Sequence, residues 1–236
     1  MRILAFETSA KAVSVALVED GNLVGEYLQN SGQTHSRTLM KMAEDLLKNC
    51  DLTPADVDAV ACAAGPGSFT GVRIGAAAAK GFAWGREIPC YGVSTLEAMV
   101  RSVAYADGIY VAAMDARRSQ VYTAAFSCRG GAITRLLDDC AISLEELREI
   151  LRPWKETKFL VGDGAQLCYN TLGSDMDGLV LLPEQLRQQR AAGTALLAWD
   201  MAKAGQSPSG AELIPNYLRL SQAERERQKK LELERG

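Results

Sequence analysis

The run Gly65-Pro66-Gly67-Ser68-Phe69-Thr70-Gly71-Val72-Arg73-Ile74-Gly75 constrains this chain more than any other stretch. Ahead of it lies Val57-Asp58-Ala59-Val60-Ala61-Cys62-Ala63-Ala64, apolar and of strand length. Behind it lies Ala76 to Trp84, rich in alanine, the best helix former. A glycine loop between a strand and a helix is where α/β proteins often build sites. Gly65 and Gly67 around Pro66 suit a tight turn, and Ser68 or Thr70 can cap the helix. Backbone N–H groups at such a helix start attract anions. The loop is no P-loop, because no Gly-Lys-Ser/Thr follows at the required spacing. It does not fit G-x-G-x-x-G either, since Thr70 stands where the third glycine belongs. By spacing alone it reads as a structural turn that lets a helix pack tightly on a sheet.

Along the chain, Ile3 to Phe6 reads as a strand, followed by the polar turn Glu7-Thr8-Ser9-Ala10-Lys11. Ala12 to Val18 and Leu23 to Leu28 are two further strands joined at Glu19-Asp20-Gly21-Asn22. Thr34 or Ser36 caps a helix to about Asn49, with Leu39, Met42, Ala43, Leu46 and Cys50 on one face and Met40 and Leu47 broadening it. Core packing explains one such face and leaves room for a second use. Pro89 to Val93 is a strand, and Ser94 or Thr95 caps a helix to about Val103. Asp107-Gly108 marks a boundary.

Strands then begin again: Ile109 to Asp115, Val121 to Cys128 and Ala132 to Leu137. Ser143 caps a helix over Leu144 to Leu151. Phe159 to Val161 is a strand that leads through Gly162-Asp163-Gly164 into a short helix ending near Leu172. A plan of three strands and a helix therefore occurs twice, with turns near 7–11 and 116–120. Arg190 to Gly205 is a last helix, with Ala191, Ala195, Leu196, Leu197 and Met201 facing inward. Residues 221–236 are dense in charge and read as a solvated tail.

With 236 residues, 47% of them hydrophobic, the chain can bury a sizeable core. A net charge of −3 argues against holding nucleic acid by overall positive charge. The six cysteines form no C-x-x-C pair and read as reduced, mostly buried thiols. His35 is the single histidine, so zinc and a Ser-His-Asp hydrolase are both poorly supported. No signal or membrane-spanning run is evident, which predicts a cytoplasmic protein. Arg73, Arg117 and Arg118 lie at or near turns. They serve either as surface ion pairs or as contacts to a nucleotide, a tRNA phosphate or a partner's acidic groups.

The glycine run is accompanied, in order, by Ile3-Leu4-Ala5-Phe6-Glu7-Thr8-Ser9, His35-Ser36, Gly92-Val93-Ser94-Thr95-Leu96, Met114-Asp115-Ala116-Arg117 with Val121-Tyr122, and Pro215-Asn216-Tyr217-Leu218-Arg219. Together these resemble the TsaB (YeaZ) family of bacterial tRNA threonylcarbamoyladenosine (t6A) biosynthesis, over almost the whole chain to Arg219. The chain departs from the family's helix pattern at Met40-Lys41, where a Leu-Pro pair is usual.

Strand order alone leaves several α/β folds open. The resemblance selects a two-lobed actin/Hsp70/sugar-kinase-like (ASKHA) fold, with a duplicated mixed β-sheet and flanking helices. Its first lobe would span 1–106 with a returning helix at about 190–220, its second 107–189.

By the same resemblance the chain is a non-catalytic subunit that binds and activates TsaD. The complex transfers a threonylcarbamoyl group to N6 of adenosine 37 of tRNAs reading codons that start with A. No cofactor would be bound by this chain, since ATP and a metal sit on its partners. The ATPase TsaE and, through the complex, tRNA would be further partners, with a homodimer when the chain is alone. The TsaD contact would fall on first-lobe helices, at Leu39, Met42, Ala43, Leu46, Gly75, Ala78, Ala79 and Phe82. Thr8, Ser9, Arg73, Arg117 and Arg118 would be the candidate nucleotide or phosphate contacts.

More distantly the chain resembles the TsaD family itself, which carries an H-x-x-x-H metal pair absent here. Two readings compete. One is an actin-fold small-molecule kinase or ATPase, which the missing glycines of both phosphate turns oppose. The other is a glycoprotease-like metallopeptidase, which the single histidine opposes.

Overall fold

The computed structural model describes residues 1–219, so the charged tail read over 221–236 lies outside the described residues. Strands β1 (Arg2–Glu7), β2 (Val13–Glu19) and β3 (Asn22–Gln29) form an antiparallel meander. After α1 (His35–Asn49), β4 (Ala59–Ala63) joins the other edge of β1 in parallel. After α2 (Phe69–Arg86), β5 (Cys90–Val93) lies parallel to β4, giving the order β3-β2-β1-β4-β5.

Helix α3 (Thr95–Val103) leads into β6 (Gly108–Asp115), β7 (Gln120–Arg129), β8 (Ala132–Ser143), α4 (Leu144–Leu151), β9 (Lys158–Val161), α5 (Ala165–Leu172), β10 (Leu179–Leu181) and α6 (Glu184–Arg187). This second sheet runs β10-β9-β6-β7-β8, with the same sense at each step as the first. The duplication read from the sequence is present. Strand β8 extends six residues past the expected end at Leu137, and β10 and α6 are additions that the sequence pattern did not reveal.

The central strands are apolar on both faces because both faces are covered. Leu4 and Phe6 point into a core shared with α1 and α2, whereas Ile3 and Ala5 point to the opposite side. In β6, Val111 and Ala113 pack with α4 and α5, and Tyr110, Ala112 and Met114 pack with α3.

The last helix, α7 (Ala191–Lys203), returns to the first sheet and lies on Ile3, Ala5, Ala16, Val18, Ala59 and Ala61. It also packs on α3, where the lobes meet. Its buried face is Ala191, Ala192, Gly193, Thr194, Ala195 and Ala198; Leu196, Leu197 and Met201, expected inside, are only half-buried. Only small side chains let one helix lie close to a sheet and a second helix at once.

The N-terminus of α7 is held from the sheet. Ala191 N donates to Ser14 Oγ at 3.2 Å and Ala192 N to Glu26 Oε1 at 3.0 Å. Arg190 Nε donates to Glu26 Oε2 at 2.8 Å, and the Glu26 side chain is 4% exposed. These bonds satisfy helix N–H groups that have no partner of their own.

Two substitutions test this junction. A Cβ at Gly193 would lie 1.9 Å from the Ala98 carbonyl oxygen, which is backbone and cannot step aside. Gly193→Ala should lower unfolding free energy by about 2 kcal/mol or more despite its better helix propensity. Glu26→Ala leaves Arg190 and a helix N–H unpaired and should cost about 3 kcal/mol. Urea denaturation of both variants against the parent chain measures these losses.

Candidate functional site

A cleft of ≈ 610 Å³ opens between the lobes, at the ends of β1 and β6. The first lobe contributes Ser9 to Lys11 and the glycine loop from Pro66 to Phe69. The second lobe contributes Met114 to Arg117, Tyr122 and Asp163, and residues 216–219 line it as well.

The floor is built by a close approach of α2 to the turn after β1. Ser68 caps α2 by accepting from Gly71 N at 3.2 Å, and Ser68 N donates to Ser9 O at 2.7 Å. A Cβ on Gly71 would lie 2.1 Å from the Thr8 carbonyl oxygen, so only glycine fits there. The loop expected to let a helix pack tightly on a sheet does so at that residue.

The polar groups of the first turn are largely taken up by the fold itself. Thr8 Oγ1 donates to Gly71 O at 2.7 Å. Glu7 is fully buried, and its Oε1 accepts from Ser9 N at 2.6 Å. Glu7 Oε2 and Ser9 Oγ are buried without a hydrogen-bond partner. Burial pushes the Glu7 carboxyl up to about 7, with hydrogen bonds from Ser9 and Thr8 partly offsetting it and Asp163 raising it further.

In the second lobe, Asp115 Oδ1 accepts from Arg117 N at 2.7 Å. Arg117, Arg118 and Ser119 all have left-handed backbones, with φ of 66°, 56° and 56°. Such conformations are costly without glycine and are held by the hairpin between β6 and β7.

The candidate phosphate contacts do not converge. Arg117 is exposed at the cleft and Ser9 lines it while itself buried, but Arg118 is not part of the lining. Thr8 is buried and bonded to the backbone. Arg73 donates to Tyr217 Oη at 2.9 Å and stacks 3.8 Å above the Phe69 ring. His35 Nε2 lies 3.1 Å from the Lys11 carbonyl oxygen, tying α1 to the first turn.

The returning helix expected to about residue 220 ends at Lys203, where Gly205 takes a left-handed backbone with φ of 81°, and residues 206–219 run on as a strap along the open edge of β5. Tyr91 Oη donates to Gln206 O at 2.7 Å, Cys90 N to Pro208 O at 2.9 Å, and Asn216 N to Ala64 O at 2.7 Å. Tyr217 stacks on Phe69 with centroids 4.6 Å apart, and Arg219 donates to Ala116 O at 2.6 Å in the other lobe. The available signal was Pro215-Asn216-Tyr217-Leu218-Arg219, which has no strand or helix period.

The expected partner surface needs correction. Leu39, Met42, Ala43 and Leu46 are buried in the first-lobe core under their own sheet, so they do not face outward. Gly75 and Ala79 are buried as well, Gly75 against Thr8. Ala78 and Phe82 are half-buried. The face of α2 that does point outward carries Ala77, Gly81, Trp84 and Gly85, flanked by Ile74, Ala78 and Phe82. Nothing lies within 4 Å of a Cβ at Gly81 or Gly85, and Trp84 is 86% exposed. On α1 the outward residues are polar apart from Met40. The one-in-four spacing of Ala77, Gly81 and Gly85 was readable, but which face met the sheet was not.

This fold and cleft define a two-lobed α/β protein of the actin/Hsp70/sugar-kinase architecture. The family model described as "TsaD: tRNA N6-adenosine threonylcarbamoyltransferase" matches residues 28–225. The chain is 32% identical to a Bacillus subtilis protein named tRNA threonylcarbamoyladenosine biosynthesis protein TsaB, over 95% of this chain and 96% of that protein. It is 34% identical to the protein of that name from Escherichia coli, over 93% and 95%. YeaZ from Pseudomonas aeruginosa superposes with a TM-score of 0.78 at 27% identity, covering 92% of this chain and 99% of that one. An activator of 2-hydroxyisocaproyl-CoA dehydratase from Clostridium difficile, with bound ADPNP, shares the fold at TM-score 0.50 and 12% identity, with 87% of this chain and 97% of that chain covered. The chain belongs to the TsaB (YeaZ) family. No helix among the described residues is long and apolar enough to cross a membrane.

Glu7 gives this site a pH signature. The unfolded carboxyl ionises near 4.5 and the folded one near 7, so the folded state holds the extra proton between these values. Stability should therefore fall as pH rises through that window, by about 3 kcal/mol in total, and level off above it. Glu7→Gln should match the parent near pH 4.5 and exceed it at pH 8. Urea midpoints across that range measure the gap.

The thiols give a second signature. Burial pushes the Cys62 thiol far above its ordinary value, Cys90 to about 11 and Cys168 to about 12. A thiol reagent should leave these three unmodified in the folded protein and label them once it is denatured. Mass spectrometry of labelled peptides gives the answer.

Proposed function

We propose that this chain is a non-catalytic partner subunit that binds and activates a TsaD-type transferase in threonylcarbamoyl transfer to adenosine 37 of tRNA. The observation that carries this reading is the outward face of α2. Ala77, Gly81 and Gly85 recur along one side, so another helix could approach its backbone closely, and Ile74, Phe82 and Trp84 add apolar area around them. The curated relatives are named for t6A biosynthesis, and the matching family model is that of the transferase.

The cleft supports an accessory role. Its first turn uses Thr8 and Glu7 for backbone contacts and buries the carboxylate, where nucleotide phosphates and a metal would need exposed groups. On this reading the chain binds no cofactor, and ATP and metal belong to its partners. A TsaE-type ATPase and tRNA would meet the assembly through the complex in the cytoplasm, and the lone chain would pair with itself through α2.

Gly81→Glu tests the surface without threatening the fold, since the position is open and glutamate favours helix over glycine. Gly81→Glu and Ala77→Glu, both at exposed positions, should keep the parent's circular dichroism and lose TsaD binding at least a hundredfold, because a charge would be buried unpaired. Binding at parental affinity by both folded variants would remove α2 from the interface. The chain alone should turn over neither ATP nor threonylcarbamoyl-AMP, and turnover abolished by Glu7→Gln would contradict the accessory reading.

A further inference from the structure

At the C-terminal end of α2 a second cavity, of ≈ 540 Å³, opens beside Trp84. Its walls are the Trp84 ring, Ala83, Ile88 and Pro89 on one side and the strap at 207–211 on the other. On the α2 wall Ile88 N donates to Ala83 O at 3.2 Å. On the strap wall Pro208 O accepts from Cys90 N at 2.9 Å, and Ser209 N donates to the Glu212 side chain at 2.6 Å. The charged side chains of the lining are Lys80 and Glu87, of opposite sign, so the cavity offers no net charge to an ionic metabolite.

Among the described residues Trp84 is the most exposed of the large apolar side chains, and it stands on the same side of α2 as Ala77 and Gly81, seven and three residues earlier. Ala77 and Trp84 are about 10 Å apart along the helix axis, within reach of one partner element.

We propose that this cavity is the anchor pocket of the α2 interface. It receives a bulky apolar side chain, against the Trp84 wall, from the same partner chain that packs on Ala77 and Gly81. The inference rests on the reading of α2 as the partner surface. Continuity of the cavity with that face selects this occupant. An open, nearly neutral, apolar recess of fixed shape beside an exposed tryptophan is the arrangement in which binding energy concentrates at protein interfaces.

The test is calorimetric titration of the full chain with the transferase homologue from the same cell. Trp84→Ala removes one wall, Ser207→Trp fills the recess from the strap, and Trp84→Phe keeps an aromatic wall. Trp84→Ala and Ser207→Trp should each raise Kd at least tenfold, about 1.4 kcal/mol, with unchanged circular dichroism. Trp84→Phe should stay within about threefold of the parent, which a merely structural tryptophan would not require. If Trp84→Ala and Ser207→Trp bind like the parent while Gly81→Glu abolishes binding, the pocket is not an anchor and the α2 interface stands. If Gly81→Glu also binds like the parent, the interface reading falls and the pocket with it.

Discussion

The packing of α7 is the constraint on which the rest of the molecule depends. This one helix closes the second face of the first sheet and, through α3, sets the position of the second lobe. It can do both only because its inner face is alanine, glycine and threonine. At Gly193 the backbones of α7 and α3 come so close that no side chain fits. Large apolar residues there would bury more area per residue, but they would hold the helices apart and open the junction. Here closeness outweighs area.

The same preference for close approach shapes the cleft. Gly71 brings α2 onto the turn after β1, where Thr8 Oγ1 donates to Gly71 O and Ser9 O accepts from Ser68 N. In two-lobed folds of this architecture such a turn can face a ligand. In this chain its carboxylate is sealed under protein and its hydroxyl is bonded to the helix. An ionised carboxylate with one oxygen unpartnered is costly to bury, which is why Glu7 holds its proton towards neutrality.

Helix α2 links these features to the outside. Its inner face lies on the sheet, its N-terminus on the cleft floor and one flank against the strap at 206–219. What remains is an outward face of small residues that carries Trp84, on a helix packed against the sheet, α1 and Tyr217 of the strap. A pre-organised face loses little freedom on binding, so apolar area buried there converts efficiently into affinity.

Much of this architecture was legible in the sequence. The doubled plan of three strands and a helix, the cap at Ser143, the caps narrowed to Ser68 or Thr70 and Ser94 or Thr95, and the tight loop at Gly65 to Gly71 follow from local rules: apolar period, capping chemistry and glycine's freedom. The side-chain cap expected for α1 from Thr34 or Ser36 does not form: Thr34 holds the N-cap position without a capping bond. The site was less legible. Amphipathic spacing shows that Leu39, Met42 and Leu46 share a face, but not that their own sheet covers it. Arg73 near a turn looks free until Tyr217, distant in sequence, stacks over Phe69 beside it. Local sequence determined the elements, because caps and periods act over a few residues. Tertiary structure alone decided which faces stayed exposed, because burial depends on contacts between residues far apart in the chain.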